Sequence, residues 1–253
     1  MDLKLRGKKA IVTGGTRGIG RAIAELLAEE GADVAVCARN QGQIDETVAA
    51  LARKGVKAWG SPVDVADTKA QRAWVAEAAQ KLGGLDIFVA NVSALAVSAD
   101  EASWRKSFDV DVMGTVAGVE AALPLLEKSG AGSVVIIGSV AAVEVTGPTR
   151  PYNAVKAALV PFMKSTAQNY ARKNVRVNMV SPGTIYFKGG VWNVREEKQP
   201  DFFKAALARN PTGRMGKPEE VADAVVFLAS PRASFVTGSN IMVDGGGTQR
   251  VQY

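Results

Sequence analysis

The chain contains no histidine and only one cysteine among its 253 residues. The first absence removes every Ser–His–Asp triad, every histidine metal site and imidazole acid–base chemistry. The second removes an internal disulfide and any C-x-x-C site. Cys37 falls in a predicted buried strand and reads as a packing residue, not a reactive thiol. No apolar run approaches the length of a membrane span, so no membrane partner is expected. The opening M-D-L-K-L-R-G-K-K has no apolar core, so no signal peptide is expected and a cytoplasmic location is. The formal charge of +6 is modest, and its Lys and Arg residues are scattered apart from K-L-R-G-K-K at 4–9. With no basic stripe and no nucleic-acid module, no nucleic-acid partner is expected.

What is present is a chain 47% hydrophobic with 26 Gly and 10 Pro, enough for one large domain with a filled core. Strand and helix patterns alternate from end to end. Strands are predicted near 8–13, 33–37, 57–61, 86–90, 133–138, 175–180 and 240–243. Helices are predicted near 18–30, 41–54, 67–82, 101–127, 151–172 and 218–229. That alternation predicts an α/β fold, a parallel sheet of about seven strands with helices on both faces. No linker, repeat or low-complexity tract divides residues 1–253, so a single domain is expected. Pro124 is expected to bend or end its helix, and Pro161 to kink the helix over 151–172. The one long irregular stretch is 184–213, and loops of such length in compact domains are usually functional.

The strongest local signal lies near the N-terminus. A short apolar strand, A-I-V-T (10–13), runs into G-G-T-R-G-I-G and then R-A-I-A-E-L-L-A-E-E, whose Ile23, Leu26 and Leu27 keep helical period. Strand, glycine turn and helix is the context in which a dinucleotide fingerprint is credible. Gly14 permits the tight turn, Gly18 lets backbone approach a pyrophosphate, and Gly20 lets the helix pack close to the sheet, with the anion at the helix N-terminus. A P-loop is excluded, because Gly20 is followed by Arg21 and Ala22 where that motif needs Lys and Ser or Thr.

A second absence bears on the cofactor. No acid follows strand 33–37, where an NAD enzyme generally places Asp or Glu to accept from the ribose 2′-hydroxyl. Ala38, Arg39 and Asn40 stand there instead, and Asp45 and Glu46 lie further on, in the next helix. Arg39 offers paired N–H donors suited to a 2′-phosphate, and Arg17 inside the glycine turn is placed to reach it from the other side. NADP(H) is therefore expected over NAD(H).

Further along, P-Y-N-A-V-K sets Tyr152 and Lys156 four residues apart, on one helical face. A tyrosine is too weak an acid for easy exchange at neutral pH unless a neighbouring cation favours its phenolate. Ser139, at the end of an upstream apolar run, supplies a hydroxyl to hold a substrate oxygen while Tyr152 exchanges a proton with it.

Taken in order, T-G-G-T-R-G-I-G (13–20), Asp64-Val65, Asn91, Ser139, Tyr152, Lys156, Pro182-Gly183 and V-T-G-S-N-I-M-V-D-G-G-G (236–247) resemble the short-chain dehydrogenase/reductase family over essentially the whole chain. The resemblance implies a Rossmann-like doubly wound sheet and transfer of a hydride between a nicotinamide cofactor and a carbonyl or alcohol. It assigns catalytic roles to Ser139, Tyr152 and Lys156, with Asp111 at the fourth position of the site. Gly14, Thr16, Arg17, Gly18, Ile19, Arg39, Asn40, Asp64, Val65, Asn91, Tyr152, Lys156, Pro182, Gly183 and Ile185 are the cofactor-binding positions it implies. It also implies a homotetramer, built on the long helices and the C-terminal segment, and a mobile flap over the substrate at 184–213. The nearest subfamily is the 3-oxoacyl reductases. A non-catalytic NADP-binding scaffold or sensor, or a lyase or epimerase on the same fold, are the alternatives, since fold alone does not fix function. Three departures from the family stand out: Asp111 replaces an asparagine, Ala94 in N-V-S-A (91–94) replaces a glycine, and Phe187 replaces a threonine that contacts the cofactor amide. Asp111 is expected either to act through its backbone alone or to pair with Lys156.

Overall fold

The computed structural model describes residues 1–96, 98–145 and 150–251. Seven parallel strands form one sheet: β1 (Lys9–Thr13), β2 (Asp33–Ala38), β3 (Ala58–Pro62), β4 (Ile87–Ala90), β5 (Gly132–Ile137), β6 (Val175–Pro182) and β7 (Asn240–Val243). Their spatial order is β3-β2-β1-β4-β5-β6-β7, all parallel and joined by helical crossovers. This is the parallel sheet that the alternating pattern predicts, wound as the Rossmann-like fold that the family resemblance implies. Its inner strands are covered on both faces, which is why they read as unbroken apolar runs: every residue of β4 and β5 is buried.

On one face α1 (Gly18–Glu29) packs beside α9 (Pro218–Ala229), and Ile23, Leu27, Val221 and Val225 lie fully buried against Val12, Val34 and Val89. On the other face α3 (Thr68–Leu82), α5 (Gly114–Ser129) and α6 (Pro151–Tyr170) cover Ile11, Phe88, Val134 and Val177 through Val75, Leu126, Leu159 and Met163. Each fully buried Leu, Ile or Phe side chain contributes roughly 1.5–3 kcal/mol of transfer free energy. Local chemistry fixes the helix ends. Asn40 caps α2 (Gln41–Ala52) by accepting from Gln43 N–H, Asp67 caps α3, and Gly83 stops α3 in a left-handed conformation at φ 83°.

Several elements differ from the sequence expectation. The predicted helix 101–127 is three pieces: α4 (Glu101–Ser107), a π-helical turn (Phe108–Met113) and α5, which continues past Pro124. Pro161 lies inside α6, which continues to Tyr170. In both helices the bond that proline forfeits is outweighed by buried neighbours, Ala122, Leu123 and Leu126 in α5, Leu159 and Met163 in α6. The stretch 184–213 is not irregular but holds α7 (Val191–Lys198) and α8 (Pro200–Ala208), neither of which buries a single residue. Among the described residues no helix is long and apolar enough to cross a membrane. The C-terminal segment expected at an interface extends to residues 252 and 253, which lie outside the described ones.

Candidate active site

Strand order reverses between β1 and β4, because one half of the chain winds outward from β1 and the other from β4. Ligands of such sheets bind in the crevice beyond the carboxyl ends of the strands at that point. The glycine turn follows β1 there, and Asn91 follows β4. The Asn91 amide donates to Thr13 O and Gly14 O, both at 3.1 Å, while its backbone N–H donates to Thr13 Oγ1 at 3.0 Å. The side-chain donors of Asn91 are thus spent on clamping the turn.

The turn has the features a diphosphate requires. Gly14 and Gly18 adopt φ of 66° and 53°, where a side chain would be strained. A β-carbon on Gly20 would collide with Gly14 O and Asn91 Nδ2, so only glycine lets α1 start this close to the sheet. Arg17 stands at the N-cap of α1 without a capping side-chain bond, and no acid occupies the first turn, which leaves the positive end of the helix unneutralised. These residues fit the phosphates of a nicotinamide dinucleotide. Arg17 and Arg39 are both exposed, one in the turn after β1 and one directly after β2, the neighbouring strand. Thr16 lies beside Gln43 at 3.4 Å, and Ile19 packs at the edge of the core.

Other expected cofactor positions have side chains already committed. Asn40 is the α2 cap, and Asp64 accepts from Ala66 N–H at 3.0 Å in a local turn. Val65 is buried against Gly114. Pro182 closes β6, Gly183 N–H donates to Val243 O at 2.9 Å, and Ile185 is buried in the core against Gly216. At Val65, Pro182, Gly183 and Ile185 backbone atoms are left for a ligand, while Asn40 and Asp64 are exposed and each keep one side-chain atom free among the described residues.

The second group gathers around the first turns of α6. Lys156 is buried at 2% exposure, and its Nζ stands 5.9 Å from the centroid of the Tyr152 ring. The same ammonium donates to Ile137 O at 3.1 Å, at the end of β5 and two residues before Ser139. Ser139 is itself buried and its Oγ accepts from Ala141 N–H at 3.1 Å, within a short helical turn (Val140–Ala142) that packs against α6. Asn153 Nδ2 reaches Glu144 O at 3.5 Å and ties the start of α6 to that segment.

Asp111 completes the group. It is wholly buried on the π-helical turn, and its Oδ1 lies 3.2 Å from Lys156 Nζ. That oxygen is off the line of a hydrogen bond and has no other partner, so charge holds the pair. Its other oxygen accepts from Ala94 N–H at 2.9 Å. Of the two expectations for Asp111, pairing with Lys156 is what the structure contains. The carboxylate also ties the N-V-S-A segment to the same ammonium, a link that Ala94 makes through its backbone.

Sequence reasoning flagged Phe187 as a departure and as one of the flap aromatics, with Tyr186, Trp192, Phe202 and Phe203, that could line an apolar pocket. Its ring lies flat on the glycine turn: a β-carbon on Gly18 would stand 2.5 Å from Phe187 Cζ, and one on Gly190 2.9 Å from the same ring. The flap after β6 thus touches the turn after β1 at this point. Burial pushes the Cys37 thiol up to about 12, so it carries no nucleophile into the site.

The comparisons agree with this geometry. A family model described as enoyl-(acyl carrier protein) reductase matches residues 14–248. Isoepoxydon dehydrogenase patN of Penicillium expansum is 38% identical over 252 residues, covering 97% of each chain. An NADPH-bound short-chain oxidoreductase of Pseudomonas aeruginosa, described as containing an atypical catalytic center, superimposes with a TM-score of 0.89 at 34% identity, over 96% of this chain and 98% of that one. L-Sorbose reductase of Gluconobacter frateurii, complexed with NADPH and L-sorbose, gives 0.91 at 31% identity over 99% and 100%. With its switch-point glycine turn, its buried Lys156 beside Tyr152 and relatives aligned from end to end, the chain belongs to the short-chain dehydrogenase/reductase family of oxidoreductases.

Proposed function

We propose that this chain, as one domain over residues 1–253 with 184–213 as its flap, is an NADP(H)-dependent reductase or dehydrogenase acting between a carbonyl and an alcohol. The observation that carries the reading is the buried ammonium of Lys156, 5.9 Å from the Tyr152 ring centroid and on the same helical face. When bound, the nicotinamide supplies or accepts the hydride. Everything else falls to the chain. Ser139 holds the substrate oxygen, Tyr152 gives it a proton or takes one, and the Lys156 ammonium stands beside the Tyr152 ring. Gly14, Gly18 and the first amides of α1 hold the phosphates. Asp111, its Oδ1 3.2 Å from the Lys156 ammonium, fixes that side chain in place. A 3-oxoacyl or related ketone is the substrate class suggested by the family resemblance, which also suggests a cytoplasmic homotetramer; a monomer mass by light scattering would refute the latter.

Replacement of Tyr152 by Phe is the direct test. The variant should bind NADPH as the wild type does and lose turnover by about two to four orders of magnitude, the usual worth of a positioned acid. Near-normal turnover would sink the assignment. Preference for NADP(H) rests on Arg39 and Arg17 and on the missing acid after β2, and NADPH bound to two of the structural relatives supports it. Removing the guanidinium in Arg39→Ala should lower the ratio of kcat/KM for NADPH over NADH about tenfold or more, as loss of a charge-assisted pair would. A wild-type enzyme that prefers NADH, or a variant with an unchanged ratio, would overturn the cofactor assignment.

A further inference from the structure

The flap carries a feature that hydride transfer alone does not require. Trp192 on α7 and Phe202 on α8 stack face to face, with centroids 6.0 Å apart and ring planes 5° from parallel. The guanidinium of Arg195 lies against both, its Cζ 4.7 Å from the Trp192 ring and 5.1 Å from Phe202. Since α7 and α8 bury none of their residues, this apolar wall is built outside the core. The acids of α7 are engaged elsewhere on the helix: Glu196 accepts from Tyr186 Oη, and Glu197 from Asn193 Nδ2. Arg195 itself makes no ion pair and no side-chain hydrogen bond among the described residues. Neither does Arg150, the N-cap residue of α6, which immediately precedes Pro151 and Tyr152.

The two cations also feel each other. Partial burial lowers the pKa of the Arg195 guanidinium below its ordinary value, and repulsion from Arg150 lowers it further. Two like charges that feel each other, neither matched by a carboxylate among the described residues, are relieved by a bound anion. A guanidinium presents five donors in a plane that matches the geometry of a carboxylate or phosphate. Aromatic faces beside it hold that plane in place and offer apolar contact to whatever carries the anion.

We infer that Arg195 and Arg150, with the Trp192–Phe202 wall, form a substrate subsite for an oxyanion carried on an apolar body, so that the enzyme acts on anionic ketones or the matching alcohols. This rests on the reading above that Tyr152 is the proton-transferring residue, because Arg150 starts the helix that carries it. The subsite selects the substrate and takes no part in the proton step.

The test uses ketones in matched sets, aryl and alkyl, each as the carboxylate, the phosphate monoester and the uncharged methyl ester. The wild type should use at least one anionic series about tenfold or more better in kcat/KM than its ester, and the advantage should shrink as salt is added. In Arg195→Gln and in Arg150→Gln that advantage should fall about tenfold, chiefly through KM, while the ester reaction and the NADPH affinity stay within about twofold. Arg195→Lys should recover part of it. Equal use of anion and ester by the wild type would overturn the proposal, as would variants that lose both substrates alike. Binding is measured separately, by titrating the anionic ketones and their esters into the Tyr152→Phe enzyme with NADPH and following tryptophan fluorescence. Anion-selective binding that disappears in Tyr152→Phe/Arg195→Gln supports the subsite even if Tyr152→Phe keeps its turnover and the proton-transfer reading fails. Binding without selectivity overturns the subsite and leaves that reading standing.

Discussion

The glycine turn after β1 and the flap after β6 meet where the Phe187 ring lies on Gly18, yet they are built in opposite ways. The helix after the turn buries Gly20, Ala22, Ile23, Ala24, Leu27 and Ala28, and the turn itself is clamped by the Asn91 amide. The two flap helices bury nothing, and their aromatic residues stack on one another instead of on the sheet. A region with its backbone paired and its apolar face in the core opens only with the whole molecule, whereas one with few buried contacts opens alone. Under the function proposed above, the rigid turn is the cofactor's cradle and the open flap is the part that faces the substrate.

The sharpest way to break this contrast is through the ion pair at its centre. Lys156→Met would leave the Asp111 carboxylate wholly buried and uncompensated, which should cost about 3–5 kcal/mol of stability in urea unfolding, besides activity. Lys156→Met combined with Asp111→Asn should recover most of that stability and none of the turnover. If the single variant were as stable as wild type, the pair would not belong to the rigid half.

A smaller effect is expected at the turn itself. Gly20→Ala would drive a methyl group into Gly14 O and Asn91 Nδ2, neither of which can retreat without loosening the clamp. A loss of about 1–3 kcal/mol follows, the usual cost of overpacking a tight site, together with weaker NADPH binding. Gly189→Ala in the flap meets no atom within 4 Å and carries only the strain of a φ of 76°. It should cost less than Gly20→Ala, with no effect on NADPH affinity. The reverse order in unfolding measurements would contradict the division into rigid and open halves.

The rigid half was the legible one because its signals are local. A strand, a glycine turn and a helix fall within twenty-odd consecutive residues, and Tyr152 and Lys156 share a face by helical spacing alone. Alternation of strand and helix also makes a parallel sheet legible, while the order of its strands came only from the structure. What stayed hidden depends on contacts between distant segments. Asp111 and Lys156 meet only because a π-helical turn swings the carboxylate toward α6, and no periodicity in F-D-V-D-V-M announces that turn. An end at Pro124 was also open to the sequence reading, where local propensity argues for a break and burial of its neighbours carries the helix through. A short helix in the flap was expected, but the bounds of α7 and α8 were not, because neither offers a stripe to the core, which is the pattern that reveals a helix in sequence. The Asn40 cap was visible in principle, as Asn before Q-G-Q-I is a helix start signal.

The smallest expected effect sharpens the comparison from the flap side. Phe202 is 48% exposed and stacks only against Trp192 and Arg195, so Phe202→Ala removes contacts that lie outside both core clusters. Global stability should change by no more than about 0.5 kcal/mol, the range of ordinary surface substitutions. Cys37 reports whether the rigid half notices. It sits in β2, its carbonyl accepts from Gly15 N–H at 3.3 Å, and its thiol is fully buried and raised to about 12. On the order of one molecule in ten thousand would carry the thiolate at pH 8 even if a reagent could reach it. Labelling by a thiol reagent therefore requires the sheet to open. Phe202→Ala should label at the wild-type rate while its KM for ketone substrates rises, and Gly20→Ala should label faster. Faster labelling in Phe202→Ala would mean that the flap holds the scaffold together, and the contrast between the two regions would fail.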